Sequence, residues 1–181
     1  MTTKTTGRRL WAAFAAITMS AILLTLGLVT LTGGAVAQQK TLKEQLIGTW
    51  LMATNITIGP DGSRADTYGP NAQGIVIFDS SGRFTLVTTR SDLPKFASNN
   101  RAKGTADENR AVVAGSLAYF GTYSVNETDQ SYTVQIEASM FPNWVGTAQK
   151  RTITMSGDEF TLTNPAGSGG GSVESKYKRA R

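Results

Sequence analysis

The 181-residue sequence contains no cysteine and no histidine. The absence of cysteine excludes disulfides and thiol nucleophiles, and the absence of histidine excludes imidazole bases and the commonest zinc and copper ligands. A Ser-His-Asp triad therefore cannot form, and catalysis would depend on carboxylates, lysine, arginine, tyrosine or hydroxyl groups. These absences favour a protein that is not an enzyme, and the sequence predicts neither a metal site nor a cofactor.

A strong excess of one charge is also missing once residues 1–37 are set apart. Those residues hold three of the 18 basic side chains and none of the 13 acidic ones, which leaves a net charge of +2 for the rest. Four of the remaining bases lie in the last six residues, so no broad basic face is indicated. Nucleic-acid binding needs such a face for its phosphate contacts. The sequence therefore predicts no nucleic-acid partner.

Residues 1–37 have the pattern of an export signal. Three basic residues precede an apolar stretch, residues 10–31, and Ala35-Val36-Ala37 supplies the small residues that signal peptidase requires. We predict cleavage before Gln38, which makes residues 38–181 one exported domain, periplasmic or secreted and not attached to the membrane. The alternative is a retained anchor, because an apolar run of ~20 residues is long enough to span a bilayer.

The rest of the chain has short runs in which apolar and polar residues alternate, a pattern typical of antiparallel strands. Turn residues separate the runs, most clearly Asp79-Ser80-Ser81-Gly82 within a hairpin. The predicted fold class is therefore all-β, and the length of the first strand indicates a bulge. Nine strands are predicted, at about residues 46–58, 64–68, 74–78, 83–90, 118–125, 131–139, 147–155, 159–163 and 173–179.

Two segments between the strands carry signals of their own. Thr105 and Glu108 form a capping-box pattern, which predicts one short helix over residues 106–117. This insertion is either a lid over one barrel end or a connector that covers the core. The glycine-rich segment 167–172 is either a flexible linker or a hairpin loop. As a hairpin loop, it would let the last strand pair with the first and close a barrel.

Three segments are similar to signatures of the lipocalin-like domain family: LIGTW at 46–50, YGPNAQG at 68–74 and FPNWVGT at 141–147. The resemblance implies an antiparallel up-and-down barrel of the calycin type, with about eight or nine strands and a central cavity. It implies little about the ligand, because one fold serves many functions.

Trp50 is predicted to plug the narrow end of this barrel, with a ligand contact as the alternative. In lipocalins an arginine near the barrel end usually covers this tryptophan, and here Arg179 or Arg151 would stack on the indole. Gly48 would then be small so that the neighbouring chain can pass. The loop between the sixth and seventh strands depends on two further structural residues, Pro142 and Gly146.

A polar group on the two strands around that loop is the most specific candidate for a ligand site. Alternation puts three polar side chains on one face of each strand. These are Gln135, Glu137 and Ser139 on one strand, and Thr147, Gln149 and Arg151 on the other. In a hairpin we expect the two faces to coincide. Pointing inward, the group would orient a ligand; pointing outward, it would be a solvated pair worth ~0.5 kcal/mol. The apolar alternate face favours the outward direction, whereas Lys150 on that apolar face favours the inward one.

Four further residues are candidates for ligand contact: Arg90, Tyr119, Tyr123 and Trp144. Arg90 would reach the barrel mouth from an apolar strand face, or else lie at the rim with its head in water. Trp144 would line the entrance or cap the core. The two tyrosines would offer phenol groups to a ligand or simply fill the barrel.

These observations predict an exported barrel that binds a small, largely apolar or amphipathic molecule, with affinity from cavity burial and selectivity from a few polar groups. One alternative is an isomerase, cyclase or hydratase that uses Glu137 as acid or base and Arg151 or a tyrosine to stabilise charge. Another is an envelope structural or interaction module with a filled barrel. Such a module would lack an internal void and would expose an apolar patch around Phe141 and Trp144.

Overall fold

The computed structural model describes residues 40–181, so the predicted signal peptide lies outside the described residues. Two short α-helices, two 3-10 turns and nine β-strands make up this part of the chain. None of its helices is long and apolar enough to span a membrane. In chain order the elements are α1 (Leu42–Leu46), β1 (Gly48–Ile58), β2 (Arg64–Asp66), β3 (Gln73–Phe78), β4 (Arg83–Thr89), a 3-10 turn (Arg101–Lys103), α2 (Ala106–Gly115), β5 (Ser116–Asn126), β6 (Ser131–Ser139), a 3-10 turn (Pro142–Trp144), β7 (Ala148–Ser156), β8 (Glu159–Asn164) and β9 (Ser172–Arg179).

Eight of the nine strands form a closed antiparallel barrel. Each strand pairs with the next in the order β1, β3, β4, β5, β6, β7, β8 and β9, and β9 pairs back with β1. The closing ladder runs from Trp50 opposite Arg179 to Ile58 opposite Ser172. Closure pairs the barrel's sheet edges, which stabilises a chain that has no disulfides. The extra strand β2 pairs with the end of β1. The predicted all-β barrel is therefore confirmed.

Two further features of the strand prediction are confirmed: the hairpin loop before the last strand and the bulge in the first. Residues 165–171 join β8 to β9 as a hairpin loop, so the interpretation of the glycine-rich segment as a linker is wrong. The expected bulge in β1 lies between Met52 and Thr54, where the register against β9 shifts by one residue. The bulge changes which residues point inward along the second half of β1. Asn55 lines the barrel interior as a result.

Aromatic side chains fill the half of the barrel that lies nearest to α1. The ring of Trp50 meets that of Phe160 edge-on at 4.8 Å, and Phe160 stacks on Tyr177 at 4.8 Å. Across the barrel, Phe78 meets Tyr132 edge-on at 5.5 Å. Each of these rings is fully or almost fully buried. Because large aromatic groups occupy this half, any internal space lies toward the opposite end.

The helix α1 closes the aromatic end of the barrel. Thr41 and Glu44 form a capping box at its start, and the Glu127 carboxylate accepts a hydrogen bond from the Leu42 amide at 2.7 Å. Leu42 and Leu46 are buried against the core. The sequence analysis did not predict this helix, although Thr41 and Glu44 have the same spacing as the pair that predicted α2. At five residues, the helix is too short for hydrophobic periodicity to reveal it.

Arg179 covers Trp50 at this closed end. Its guanidinium carbon lies 4.0 Å from the centre of the indole ring. Its two terminal nitrogens donate to carbonyl oxygens at the end of α1, at 2.7 and 3.0 Å, and the indole nitrogen donates to the Leu46 carbonyl at 2.8 Å. A Cβ atom at Gly48 would lie 2.8 Å from the guanidinium, and the φ angle there is +133°. The structure therefore places Trp50 as a plug, covered by Arg179 and not by Arg151, and Gly48 leaves room for that arginine side chain.

The helix α2 begins at the predicted capping box, in which Thr105 and Glu108 satisfy each other's backbone amides. It ends at Gly115 and not at Leu117, because β5 takes over at Ser116. The Arg90 stem lies against Gly115, where a Cβ atom would approach it to 2.7 Å. None of the helix residues lines the barrel cavity. This placement favours the connector over the lid.

Candidate functional site

An internal cavity lies at the end of the barrel opposite α1. It is lined by inward side chains near the strand ends and by the β2–β3, β6–β7 and β8–β9 loops. Its volume is about 50 Å³, which is well below the roughly 300–1,000 Å³ of typical ligand pockets and sufficient for a few water molecules. Hydroxyl and amide side chains share the wall with four aliphatic residues, Leu86, Leu117, Leu162 and Val173. The cavity therefore suits a small molecule with both polar and apolar parts.

Among the described residues, Arg151 is the one charged side chain in the cavity wall. It lies on β7, is only 2% exposed and points inward. One terminal nitrogen donates to the Tyr119 hydroxyl at 2.7 Å and the other to the Gln149 carbonyl at 2.9 Å. The third nitrogen, Nε, is buried and has no hydrogen-bond partner. Among the described residues no carboxylate lies within 4.0 Å of the guanidinium, so its charge has no counter-ion.

Phenol groups around Arg151 do not neutralise this charge at neutral pH. Burial raises the pKa of Tyr132 to about 12, even though Arg151 acts in the opposite direction. Burial also raises the pKa of Tyr68 to about 12, and that of Tyr177 further. Burial alone would lower the pKa of Arg151, but Tyr119 and Tyr132 outweigh that effect and raise it overall. The cavity therefore holds a permanent cation among neutral hydroxyl groups, which attracts an anion in this low-dielectric setting.

A second orphaned polar atom belongs to Asn55, which lines the same cavity from β1. The amide nitrogen of Asn55 donates to the hydroxyl of Ser175 on β9 at 2.8 Å. Its carbonyl oxygen Oδ1 is buried and has no partner. Buried polar groups are nearly always hydrogen-bonded, and leaving one unpaired costs about 1–3 kcal/mol. Arg151 and Asn55, which both line the cavity, therefore each have a buried polar atom without a hydrogen-bond partner among the described residues.

A family comparison agrees with this geometry. The family model described as a lipocalin-like domain matches residues 47–178, which reach from the first barrel strand to the last. The chain belongs to the lipocalin-like domain family. No curated protein matches the sequence. Membership supports a ligand-binding barrel in general and leaves the ligand to be argued from the site.

Three of the predicted contact residues of this lipocalin-like barrel line the cavity: Tyr119, Trp144 and Arg151. Gln149 is not in the cavity wall but holds Arg151 through its side-chain carbonyl. Tyr123 points inward near the closed end, where its hydroxyl donates to the Asp79 carbonyl at 2.8 Å.

Arg90 lies outside the lipocalin-like cavity. Its side chain is exposed and forms two hydrogen bonds of 2.8 Å with the carboxylate of Asp92. The pKa of Arg90 is raised by this hydrogen-bonded partner. The structure therefore places Arg90 at the rim, with its head group in water.

The structure contradicts the prediction that Glu137 and Arg151 share one face. In the β6–β7 hairpin, Tyr132 lies opposite Arg151 and Val134 lies opposite Gln149. Arg151 and Gln149 therefore share the inner face with the apolar residues of β6. The loop between the strands sets this register, and sequence alternation alone does not reveal it.

Glu137 and Gln135 point to the outside of the barrel. The Glu137 carboxylate accepts two hydrogen bonds from Arg83, at 2.6 and 3.3 Å, and Gln135 donates to a loop carbonyl. Lys150 also points outward and pairs with Asp129. Its charge is therefore not buried, and it gives no reason to place Glu137 inside the barrel. An acid or base role for Glu137 inside the cavity is therefore wrong.

A bulge in β6 explains why the sequence did not reveal on which face Ser139 lies. Phe120 on β5 pairs with Ala138, but the next residue, Gly121, pairs with Ile136. Glu137 is left over as the extra residue of the bulge, so alternation resumes one step out of phase beyond it. Ser139 consequently does not share the outward face of Glu137.

The loop after β6 brings Trp144 to the cavity mouth. Pro142 begins its 3-10 turn, and Gly146 ends the loop with a φ angle of +80°. The Trp144 ring meets that of Tyr119 edge-on at 5.4 Å, and Phe141 meets Trp144 at 5.7 Å. Trp144 at the entrance thus contacts Tyr119, the residue whose hydroxyl accepts a hydrogen bond from Arg151.

Sequence reasoning missed Asn55 and Ser175 as site residues. Both lie on strands that were predicted, but the bulge after Met52 hid the inward direction of Asn55. The available signal was the presence of amide and hydroxyl residues near the ends of otherwise apolar inner faces. That signal becomes useful only when the register is known.

Proposed function

We propose that the barrel binds a small amphipathic molecule whose anionic head group is held by Arg151. The observation that carries this proposal is the buried guanidinium without a carboxylate partner. Leaving a charge buried and unpaired is costly, and proteins normally pair such groups. A bound carboxylate would supply the missing partner.

The surroundings of Arg151 support this role. Its planar guanidinium matches a carboxylate in geometry, and such charge-assisted hydrogen bonds are roughly twice as strong as neutral ones. The Tyr119 hydroxyl, already bonded to Arg151, is positioned to join the same anion. The aliphatic wall formed by Leu86, Leu117 and Leu162 would contact the apolar part of the ligand. The volume of about 50 Å³ limits that part to a short chain.

The two alternatives receive less support. Within residues 40–181, no aspartate or glutamate lines the cavity, so this part of the wall lacks the carboxylate acid or base that the enzyme hypothesis requires. For the filled-barrel module, four exposed large apolar residues lie on the outer sheet face, namely Leu51, Ile77, Val87 and Phe120, whereas Met140 and Val145 flank Phe141 and Trp144 as that hypothesis expects. The internal cavity, although small, is the void that this hypothesis excludes. We further propose, from the signal-peptide pattern, that the barrel acts as an exported protein.

A titration with short-chain carboxylates, followed by tryptophan fluorescence, tests the proposed function. Trp144 at the mouth is the expected reporter, because Trp50 lies buried at the closed end. The test variant is Arg151→Met, and the matched control is Arg83→Met, which removes an exposed arginine on the outer face. We expect saturable carboxylate binding in the native protein and the control, with at least about tenfold weaker binding in Arg151→Met. Equal binding in Arg151→Met, or equal binding of the matching uncharged amides, would contradict the proposal.

A further inference from the structure

We infer that the ligand is a short-chain hydroxycarboxylate, which uses its hydroxyl to donate to Asn55. This inference rests on the proposed function, because it takes Arg151 as the site of the carboxylate. The observation behind it is the second orphan in the same cavity, the buried Oδ1 atom of Asn55. A buried acceptor without a donor among the described residues is satisfied by a donor from outside the protein, and a ligand hydroxyl supplies one.

Neighbouring residues hold the Asn55 amide in one place. Its nitrogen donates a hydrogen bond to the hydroxyl of Ser175, a buried side chain on β9 that lies directly opposite Asn55 on β1. With one amide N–H engaged between two paired strands, the carbonyl oxygen is the atom of this amide that has no partner among the described residues. A hydroxyl group satisfies this oxygen by donating one hydrogen bond.

Charge selects a hydroxyl over an ammonium group as the donor. The cavity is about 50 Å³ in volume and already contains the guanidinium of Arg151. A second cation in so small a space would be repelled in a medium where charges interact strongly. A neutral hydroxyl donates the same hydrogen bond without that repulsion. The geometry therefore discriminates hydroxy acids from amino acids.

The cavity size limits the ligand to a short chain. A space of about 50 Å³ accommodates only a few water-sized groups. A carboxylate, one or two carbons and a hydroxyl fill such a space. Long-chain acids would have to displace the mouth residues, which include Trp144 and the glycine-rich β8–β9 loop.

Isothermal titration with four three-carbon acids tests this inference. The probes are propanoate, 2-hydroxypropanoate, 3-hydroxypropanoate and 2-aminopropanoate, which vary the donor on one small carboxylate. The proteins are the native chain, Asn55→Leu and the control Thr54→Val. Thr54 precedes Asn55 on the same strand, but its side chain is exposed and does not line the cavity.

We expect at least one hydroxy acid to bind the native protein and Thr54→Val about tenfold more tightly than propanoate does. In Asn55→Leu that preference should disappear, while propanoate still binds. The amino acid should bind more weakly than propanoate in all three proteins.

The outcomes separate the two proposals. Equal affinities for propanoate and both hydroxy acids in the native protein would overturn the inference and leave the role of Arg151 standing, and this result does not depend on the folding of any variant. A preference that survives in Asn55→Leu would also overturn it. If none of the carboxylates binds the native protein, the proposed function fails, and the inference fails with it.

Discussion

Two arginines of this barrel show how the surroundings of a residue determine its role. Arg179 stacks on Trp50 and donates to carbonyls at the end of α1, so its contacts lie within the fold. Arg151 is more deeply buried, yet one of its nitrogens has no partner and no carboxylate balances its charge. Residue identity is the same in both cases. The first arginine stabilises the barrel, whereas the second is suited to a ligand.

This contrast predicts that the same substitution lowers stability less at Arg151 than at Arg179. Arg179→Met should lower the free energy of unfolding by about 2 kcal/mol, because it removes a cation-π contact and two charge-assisted hydrogen bonds. Arg151→Met also removes a cation-π contact and two charge-assisted hydrogen bonds, but it relieves the cost of an unpaired buried charge, so the free energy of unfolding should fall by less than about 1 kcal/mol. Urea denaturation without ligand measures both values. A loss for Arg151→Met as large as that for Arg179→Met would show that Arg151 is kept for structure.

At the scale of elements, two bulges control which side chains face the cavity. One in β1 turns Asn55 inward, and one in β6 puts Ser139 on the opposite face from Glu137. At the second bulge the chains approach so closely that a Cβ atom at Gly121 would lie 1.9 Å from the carbonyl oxygen of Gln135. Only glycine fits at this position.

Gly121→Ala should therefore lower the free energy of unfolding by roughly 3 kcal/mol or prevent folding, because a methyl group would clash with rigid backbone. Gly169→Ala is the control, since a Cβ atom at Gly169 would meet no atom within 4 Å. Circular dichroism and urea denaturation of the two variants give the comparison. A difference below about 1 kcal/mol between them would mean that the bulge relaxes easily.

The bulges also explain how far the sequence could predict the structure. Strand positions, barrel closure and the pairing of Trp50 with a cation follow from local alternation, turn residues and family-like segments. The sheet face on which a residue lies beyond a bulge cannot be predicted in this way, because one extra residue reverses the direction of every side chain that follows. The register of the β6–β7 hairpin is hidden as well, so the sequence identified Arg151 as a candidate but grouped it with Glu137, which lies on the other side of the sheet.

At the scale of the whole molecule, the barrel is stabilised by a closed sheet and an interior rich in tyrosine. Tyr132 and Tyr177 are fully buried, and Tyr119 and Tyr123 are nearly so. A buried phenol resists ionisation, so the pKa of Tyr132 rises from 10.0 to about 12. The stability of the fold must then depend on pH in the alkaline range.

The direction of this dependence follows from proton binding. Between pH 10 and about 12 the unfolded chain has lost the Tyr132 proton that the folded chain still holds. Stability is therefore complete below pH 10 and falls as the pH rises toward 12, by roughly 3 kcal/mol for this residue at about 1.4 kcal/mol per pK unit. Urea midpoints measured from pH 8 to 12 should show the decrease, and Tyr132→Phe should reduce it. A midpoint that is constant across this range would contradict the burial of the neutral phenol.

Native mass spectrometry of the protein purified gently from its own host tests the central claim most directly, that Arg151 holds a small anion inside the barrel. The account predicts a discrete low-mass adduct on the native protein, which is released on denaturation and is acidic. The adduct should be absent from Arg151→Met and present on Arg83→Met. An adduct-free native protein that also fails to take up short carboxylates, or an adduct equally retained by Arg151→Met, would contradict the account.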